Sequence, residues 1–256
     1  MDLKKAAVRE KERKRAYILG IPYVVSDISK AARYLLRHRK DLSGQYVCFS
    51  NAHTAVTGWE DPAYRTVQKE AALVFPDGNS IAVEMRARGY RRAERIAGPD
   101  FMTMLFSLGL KERVSHYFYG SSEETLEALR KSLSRTYPGI RIAGTYSPPF
   151  REISEEEDRE HVERINKARP DFVWIGLGAP KQEKWMAAHK DRIKGVMLGV
   201  GAGFDFHSGK VKRAAPWIQK LGLEWLQRLM LDPKRLLKRY LVTNTKFIWY
   251  AKIKKR

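Results

Sequence analysis

Short apolar runs alternate with amphipathic stretches along most of this chain. The runs at 46–49, 72–75, 116–119, 140–143, 172–175 and 196–199 are mostly aliphatic or aromatic and predict buried strands. Stretches near 57–70, 80–89, 99–110, 122–136, 155–168 and 181–191 predict the helices between them. Ser122 and Ser154 stand at N-cap positions. The acidic residues that follow them, Glu123-Glu124 and Glu155 to Asp158, suit the positive end of a helix. Strands alternating with helices predict an α/β fold, a doubly wound and mainly parallel sheet of Rossmann-like type. Such sheets bind ligands beyond the carboxyl ends of their strands. Pro76-Asp77, Gly120-Ser121, Gly144-Thr145 and Gly176 to Gly178 all follow predicted strands.

Past Asp205 the pattern changes. Residues 217–230 place Ile218, Leu221, Trp225 and Leu229 on one helical face. After Pro233 a second run places Leu237, Tyr240, Leu241, Asn244, Phe247, Ile248 and Ala251 at helical spacing among lysines and arginines. The chain therefore divides into a basic N-terminal arm (1–15), an α/β catalytic core (16–205) and a basic amphipathic C-terminal appendage (206–256).

Charge sharpens this division. The net charge is +20, and residues 1–40 carry twelve Lys/Arg against four Asp/Glu, whereas 206–256 carry fourteen against two. The middle is electrically balanced, so the basic ends imply a polyanionic partner surface. Trp249 and Tyr250 near the end of the second run favour a lipid interface over a core-packing helix with solvated charges. No apolar run approaches the about 20 residues of a membrane span. The N-terminus does not read as a signal peptide. The single Cys48 makes neither an internal disulfide nor a cysteine zinc site. The expected location is cytoplasmic.

Two glycine-rich turns carry the chemistry. Ile175-Gly-Leu-Gly-Ala-Pro-Lys-Gln-Glu-Lys-Trp185 and Val196-Met-Leu-Gly-Val-Gly-Ala-Gly203 each leave a strand, the first into a helix and the second into Asp205. Backbone N–H groups and a helix N-terminus in such turns favour an anion, which points to a nucleotide or sugar-phosphate ligand. Gly178, Lys181 and Gln182 are placed to orient it, while Glu183 also fits a first-turn capping role. Gly120 and Ser121 are candidates for a diphosphate or ribose contact, and Asp205 for recognition of the nucleoside. Asp77 in Phe75-Pro-Asp-Gly78 reads either as an Asx-turn carboxylate or as a general base. Arg95 reads as a paired surface arginine or a ligand contact, and Asn51 as a turn residue or a hydroxyl partner. Arg228, Arg235 and Arg239, spaced seven and four apart, share a helical face across the Pro233 interruption and suit phosphate oxygens. Neither a convincing Asp-x-Asp nor a metal-ligand spacing of histidines is present, so no metal and no cofactor are expected.

The strings Gly178-Ala-Pro-Lys-Gln-Glu-Lys-Trp185 and Phe204-Asp-x-x-x-Gly-Lys-Val-Lys-Arg-Ala214 resemble the WecG/TagA/CpsF family of bacterial glycosyltransferases. So do Pro76-Asp-Gly78, Glu94-Arg-Ile-Ala-Gly98 and Leu221-Gly-Leu-Glu-Trp-Leu-Gln-Arg-Leu229, in the order that family shows, from about residue 51 to residue 239. The resemblance implies an inverting, metal-independent transfer of an N-acetylmannosamine-like hexose or uronic acid from a UDP-sugar. The acceptor it implies is a polyprenyl-diphosphate-linked sugar, extended toward a teichoic acid, capsule or exopolysaccharide. It implies that Asp77 is the base, that Arg95 contacts the donor, and that Arg228, Arg235 and Arg239 hold the acceptor diphosphate once the appendage meets the inner face of the plasma membrane. Where some relatives carry His-His-Gly-Tyr this chain has Tyr146-Ser-Pro-Pro149, which leaves Tyr146 as the substitute for a stacking tyrosine. Phe49-Ser50 replaces a Thr-Pro of some relatives. Two other classes are weighed against this one. A nucleic-acid-binding protein would use the +20 charge but needs a motif that is missing. An epimerase would need a dinucleotide fingerprint. Self-association is left open.

Overall fold

The computed structural model describes residues 14–213 and 233–253, with Leu226, Leu229 and Met230 between them. Its centre is an eight-stranded sheet. In chain order the strands are β1 (Arg15–Ile18), β2 (Ile21–Val24), β3 (Tyr46–Ser50), β4 (Leu73–Pro76), β5 (Ser115–Gly120), β6 (Arg141–Tyr146), β7 (Phe172–Gly176) and β8 (Val196–Gly199). Their spatial order is β1-β2-β4-β3-β8-β7-β5-β6, and every pair is parallel except β1 with β2. The chain steps outward from β3 to β4, crosses to the far half, and returns through β7 to β8. Winding thus reverses between β3 and β8, where open α/β sheets place their ligands.

The helices are α1 (Ile28–His38), α2 (Ala52–Glu60), α3 (Pro62–Glu70), α4 (Asn79–Ala87), α5 (Gly98–Gly109), α6 (Glu123–Thr136), α7 (Glu155–Lys167), α8 (Lys181–Ala188), α9 (Gly203–His207) and α10 (Pro233–Ile248), the last continuing into a π turn, Trp249–Ile253. They cover both faces. Val47, Phe49, Trp174 and Leu198 pack toward α1, α5 and α6, while Cys48, Val173, Ile175 and Met197 pack toward α2, α3 and α8. Burial on both faces is why these strands read as continuous apolar runs rather than alternating ones.

The doubly wound fold is as the pattern predicts, with three corrections. The single helix expected at 57–70 is two. Asp61 ends α2 and caps α3, its carboxylate accepting the Tyr64 N–H, and Pro62 occupies the first helical position. A residue before proline is driven out of the helical region, so the break is local. The hairpin of β1 and β2 was not anticipated. Its two-residue turn uses Leu19 and Gly20, both at positive φ (50° and 77°), with leucine where asparagine or aspartate is the usual signal. Arg15, assigned to the arm, opens β1, and the arm before Lys14 lies outside the described residues. The helix expected at 217–230 does too, apart from Leu226, Leu229 and Met230.

The third correction concerns α10. The apolar spacing expected to form one face divides into two. Phe247 and Ala251 are buried with Thr243 against α2, whereas Leu237, Leu241, Ile248 and Trp249 are exposed. Two bonds converge on one oxygen of Glu60, from Lys246 Nζ (2.7 Å) and Tyr250 OH (3.0 Å). Arg88 donates to the Ala251 carbonyl (3.0 Å), and the Trp59 and Tyr250 rings lie 5.8 Å apart. The appendage is docked on the helix that starts at Asn51. Phe247→Ala removes a buried aromatic contact worth about 3–5 kcal/mol. Limited proteolysis is expected to release α10 from this variant while the sheet stays protected.

Candidate active site

At the carboxyl edge of the sheet, β4 ends at Pro76 and Asp77 follows. The Asp77 N–H donates to the Ser50 carbonyl (3.1 Å), joining the ends of β4 and β3. Its Oδ1 accepts the N–H of Gly98 (3.3 Å), the first residue of α5, and its Oδ2 accepts from Asn51 Nδ2 at 3.5 Å. The N-cap position of α5 is Ala97, which has no side-chain oxygen, so Asp77 supplies the missing acceptor from another strand. Arg95 Nε donates to the Asp77 carbonyl (2.9 Å), and the Ile96 N–H donates to the Pro76 carbonyl (2.8 Å). Asp77, Arg95 and Asn51 are therefore brought together, as the sequence led one to expect.

Asn51 is also the N-cap of α2. Its Oδ1 accepts from the N–H groups of His53 and Thr54, and Thr54 Oγ1 accepts the Asn51 N–H in return. The amide carbonyl is committed to the helix, which turns the NH₂ group toward Asp77. Beneath it Ser50 is buried. The Ser50 hydroxyl bonds Tyr23 OH (2.9 Å), Thr54 Oγ1 (2.9 Å) and Gln68 Oε1 (2.7 Å). That hydroxyl supports the floor of the site and does not face the cleft.

Gln182 and Glu183 follow the same logic. Gln182 is only 3% exposed. Its Oε1 accepts the Gly201 N–H (3.0 Å) and its Nε2 donates to Glu183 Oε1 (2.8 Å). Glu183 Oε2 accepts from Tyr64 OH (3.1 Å). Both residues, expected at the ligand, are held by protein partners. Gln182 props the turn that leaves β8, and Glu183 props Gln182 from the core. Burial pushes the Glu183 carboxyl above its ordinary value. That turn is the seam of the site, because a Cβ on Gly98 would lie 3.5 Å from Val200.

Across the seam lies a second cavity of about 370 Å³, bounded by Ser121, Gly176, Lys181, Trp185, Pro149 and Phe150. Gly120 has φ +118°, and a Cβ there would sit 2.7 Å from the Gly176 carbonyl. The close approach of β5 and β7 at this edge requires glycine. It lets the Ser121 N–H donate to the Gly176 carbonyl (3.2 Å), and the Ser121 carbonyl accepts from Ser147 Oγ (2.7 Å). Gly178, at φ +78°, leads into α8, and Lys181 on its first turn is exposed at the cavity wall. Ser122 caps α6, as a plain N-cap does.

Tyr146 does not line this cavity. Its hydroxyl meets His161 Nε2 (3.0 Å) while Tyr119 OH meets Nδ1 (3.0 Å), and the Arg164 guanidinium lies 4.6 Å above its ring. These contacts hold the ring toward α7, and the ring that lines the cavity is instead that of Phe150, which is 84% exposed. Its signal in the sequence was the apolar residue directly after Pro148-Pro149. Asp205 lies on α9, beyond β8, and the boundary expected at 205 cuts that helix. The segment after it is clasped to the helix N-termini: Lys210 reaches Glu124 (3.1 Å), Arg213 pairs with Asp100, and His207 meets the Pro99 carbonyl (3.0 Å). Arg228 lies outside the described residues. Arg235 and Arg239 are on α10, and only their backbone is described. Among the described residues no three His, Cys, Asp or Glu side chains are grouped as metal ligands.

The profile of the Glycosyl transferase WecG/TagA/CpsF family matches residues 16–256. The chain belongs to this family. It is 34% identical over 221 residues to an N-acetylglucosaminyldiphosphoundecaprenol N-acetyl-beta-D-mannosaminyltransferase of Bacillus subtilis (strain 168), covering 85% of this chain and 84% of that one. It is 30% identical to an enzyme of the same name from Bacillus spizizenii, over 75% of this chain and 73% of that one. A third of that name, from Staphylococcus aureus (strain NCTC 8325), is 29% identical over 68% of this chain and 67% of its own. The protein is a glycosyltransferase by family.

The buried carboxyl of Glu183 gives a pH test of this architecture. Its folded-state pKa lies above the unfolded one, so the folded protein keeps a proton that the unfolded chain releases. This stability is complete below the unfolded value near 4.5 and is lost as pH rises through the folded value. Glu183→Gln keeps a neutral hydrogen-bonding group in place. In urea denaturation the wild type is expected to lose more stability between pH 5 and pH 8 than this variant does.

Proposed function

We propose that this protein moves an N-acetylmannosamine-like sugar from a UDP-sugar to a polyprenyl-diphosphate-linked N-acetylglucosamine, in one inverting step and without a metal, toward teichoic acid or a related cell-surface polysaccharide. The observation that carries this reading is the Asp77 carboxylate, held between the Asn51 amide and the N-terminus of α5 with Arg95 beside it. Asp77 takes the proton of the acceptor hydroxyl as that oxygen attacks C1, and the C1–O bond to the nucleoside diphosphate breaks on the opposite face. The leaving diphosphate collects negative charge. Lys181, the Ser121 hydroxyl and the helix N-terminus that follows Gly178 stabilise that charge in this reading. The cavity beside Phe150 takes the nucleoside, and Asp205 contributes to its recognition in this reading. Gln182 acts through the Gly201 turn. Arg228, Arg235 and Arg239 hold the acceptor diphosphate in this reading.

The reading includes work at a membrane surface, on the cytoplasmic face, and α10 supports the membrane-surface part. Leu237, Leu241, Ile248 and Trp249 are exposed on the side away from α2, in a segment rich in lysine and arginine. No helix among the described residues is long and apolar enough to cross a membrane. A solvent-facing apolar stripe flanked by cations suits lipid better than nucleic acid, which calls for charge without exposed aliphatic surface.

UDP release from a panel of UDP-sugars, with and without a polyprenyl-diphosphate N-acetylglucosamine acceptor and in EDTA, tests this directly. Acceptor-dependent release from one sugar is expected. Release only after a divalent metal is restored would remove the metal-independent part of the reading. Asp77→Asn, which keeps an acceptor for the Gly98 N–H, is expected to lower turnover by about 10²–10⁴-fold with a loss of stability of only about 1 kcal/mol, and full activity in that variant would exclude Asp77 as base.

A further inference from the structure

A cavity of about 590 Å³ opens beside the site and is used by none of the chemistry above. Its floor comes from the end of β2, the end of β4 and the first turns of α1: Val24, Leu73, Phe75 and Ala31 are all buried apolar residues. Its mouth is cationic, with Lys14, Lys30, Arg91 and Arg92 around it and no acidic residue lining it. Lys30 is paired with Asp27 (2.8 Å). Arg91 and Arg92 are exposed and make no ion pair or hydrogen bond with the described residues. Lys14 lies 5.5 Å over the ring of Tyr90. An apolar chamber with a cationic mouth, of a size common to ligand sites (about 300–1,000 Å³), fits an amphiphile with an apolar chain and an anionic head.

The position of the cavity narrows the choice. The segment from Gly89 to Gly98 is its outer wall and also the wall of the Asp77 site. The Glu94 N–H donates to the Ser26 carbonyl (3.3 Å) on the cavity side, and Arg95 donates to Asp77 on the other. Arg86 braces the same segment through the Ala93 carbonyl (2.9 Å). Arg92 and Arg95 are three positions apart, so their Cα atoms are at most about 11 Å apart. A diphosphate at Arg91 and Arg92 would therefore sit on the same segment that holds Arg95 against Asp77.

We infer that this cavity receives the first isoprene units of the polyprenyl-diphosphate acceptor, with Arg91, Arg92 and Lys14 at its mouth facing the phosphate that carries the lipid. The inference rests on the acceptor reading given above, and it assigns a place to the lipid part that the appendage arginines do not account for. Bulk anionic phospholipid shares the same chemistry, an apolar chain with a phosphate head, and is separated from the acceptor by the test.

Calorimetric titration of the full chain with farnesyl diphosphate, a short isoprenoid diphosphate, is the direct measurement. Inorganic diphosphate and farnesol serve as the two half-ligands. Farnesyl diphosphate is expected to bind at least tenfold more tightly than either half. The double variant Arg91→Glu, Arg92→Glu, at exposed positions that leave the fold intact, is expected to weaken it at least tenfold. Ala31→Phe, which fills the floor, is expected to abolish it. No binding to the wild type, equal binding of inorganic diphosphate, or no change in the charge-reversed variant would overturn the inference. Displacement of farnesyl diphosphate by phosphatidylglycerol vesicles would assign the cavity to bulk lipid and overturn the acceptor assignment. The titration needs no turnover, so a failed UDP-release assay and a failed titration are told apart.

Discussion

The site depends on one carboxylate serving two elements at once. Asp77 follows β4 but caps α5, accepting the Gly98 N–H that Ala97 has no oxygen to bind. This bond sets the segment from Gly89 to Gly98 against the end of the sheet, and that segment carries Arg95, the wall of the apolar cavity and the contact with the β8 turn. A helix N-terminus suits a negatively charged acceptor, which is why a carboxylate can serve here as a cap from another strand. The same geometry explains why Asp77 reads as a mere turn residue from its neighbours alone. The Asx-like role and the proposed chemical role use the same oxygens.

Polar groups below the edge do the positioning. Ser50, Thr54, Gln68 and Tyr23 form one buried set under Asn51, and Gln182, Glu183 and Tyr64 form another under the β8 turn. Buried donors and acceptors without partners are costly, so sets of this kind fix a single arrangement of the groups they touch. Removing one member leaves the others unsatisfied, an effect of about 1–3 kcal/mol per group. The residues that meet substrate in this reading are few, and each is held by others that do not.

The C-terminal segment adds a surface to this frame. α10 lies on α2, whose first turn is capped by Asn51, so the appendage is in contact with the helix that starts at the site. Glu60 collects Lys246 and Tyr250 on one oxygen, and Arg88 closes the end of the π turn. The opposite side of α10 keeps Leu237, Leu241, Ile248 and Trp249 in solvent. A helix with one docked side and one exposed apolar side is suited to join a folded core to a second apolar phase.

Much of the fold was legible because its determinants are local. Six strands appear as apolar runs, five of them buried and the sixth, β6, only partly buried because it is the edge of the sheet, and Ser122 and Ser154 mark helix starts by chemistry that acts within three residues. The glycines at 120, 176 and 178 and the Pro-Asp-Gly turn announce the carboxyl edge. The β1–β2 hairpin was illegible because Leu19-Gly20 lacks the usual turn residues, and the division of α10 because spacing records periodicity and not which strip α2 covers. The roles of Gln182, Glu183 and Tyr146 depend on partners far along the chain, Gly201, Tyr64 and His161 among them. Sequence by itself determined the alternation of strands and helices from β3 to β8, the edge where the glycine turns gather and the basic ends. The tertiary structure alone decided which polar side chains face the cleft and which turn inward to support it, because hydrogen-bond partners are assigned by the approach of strands and helices that no local pattern encodes.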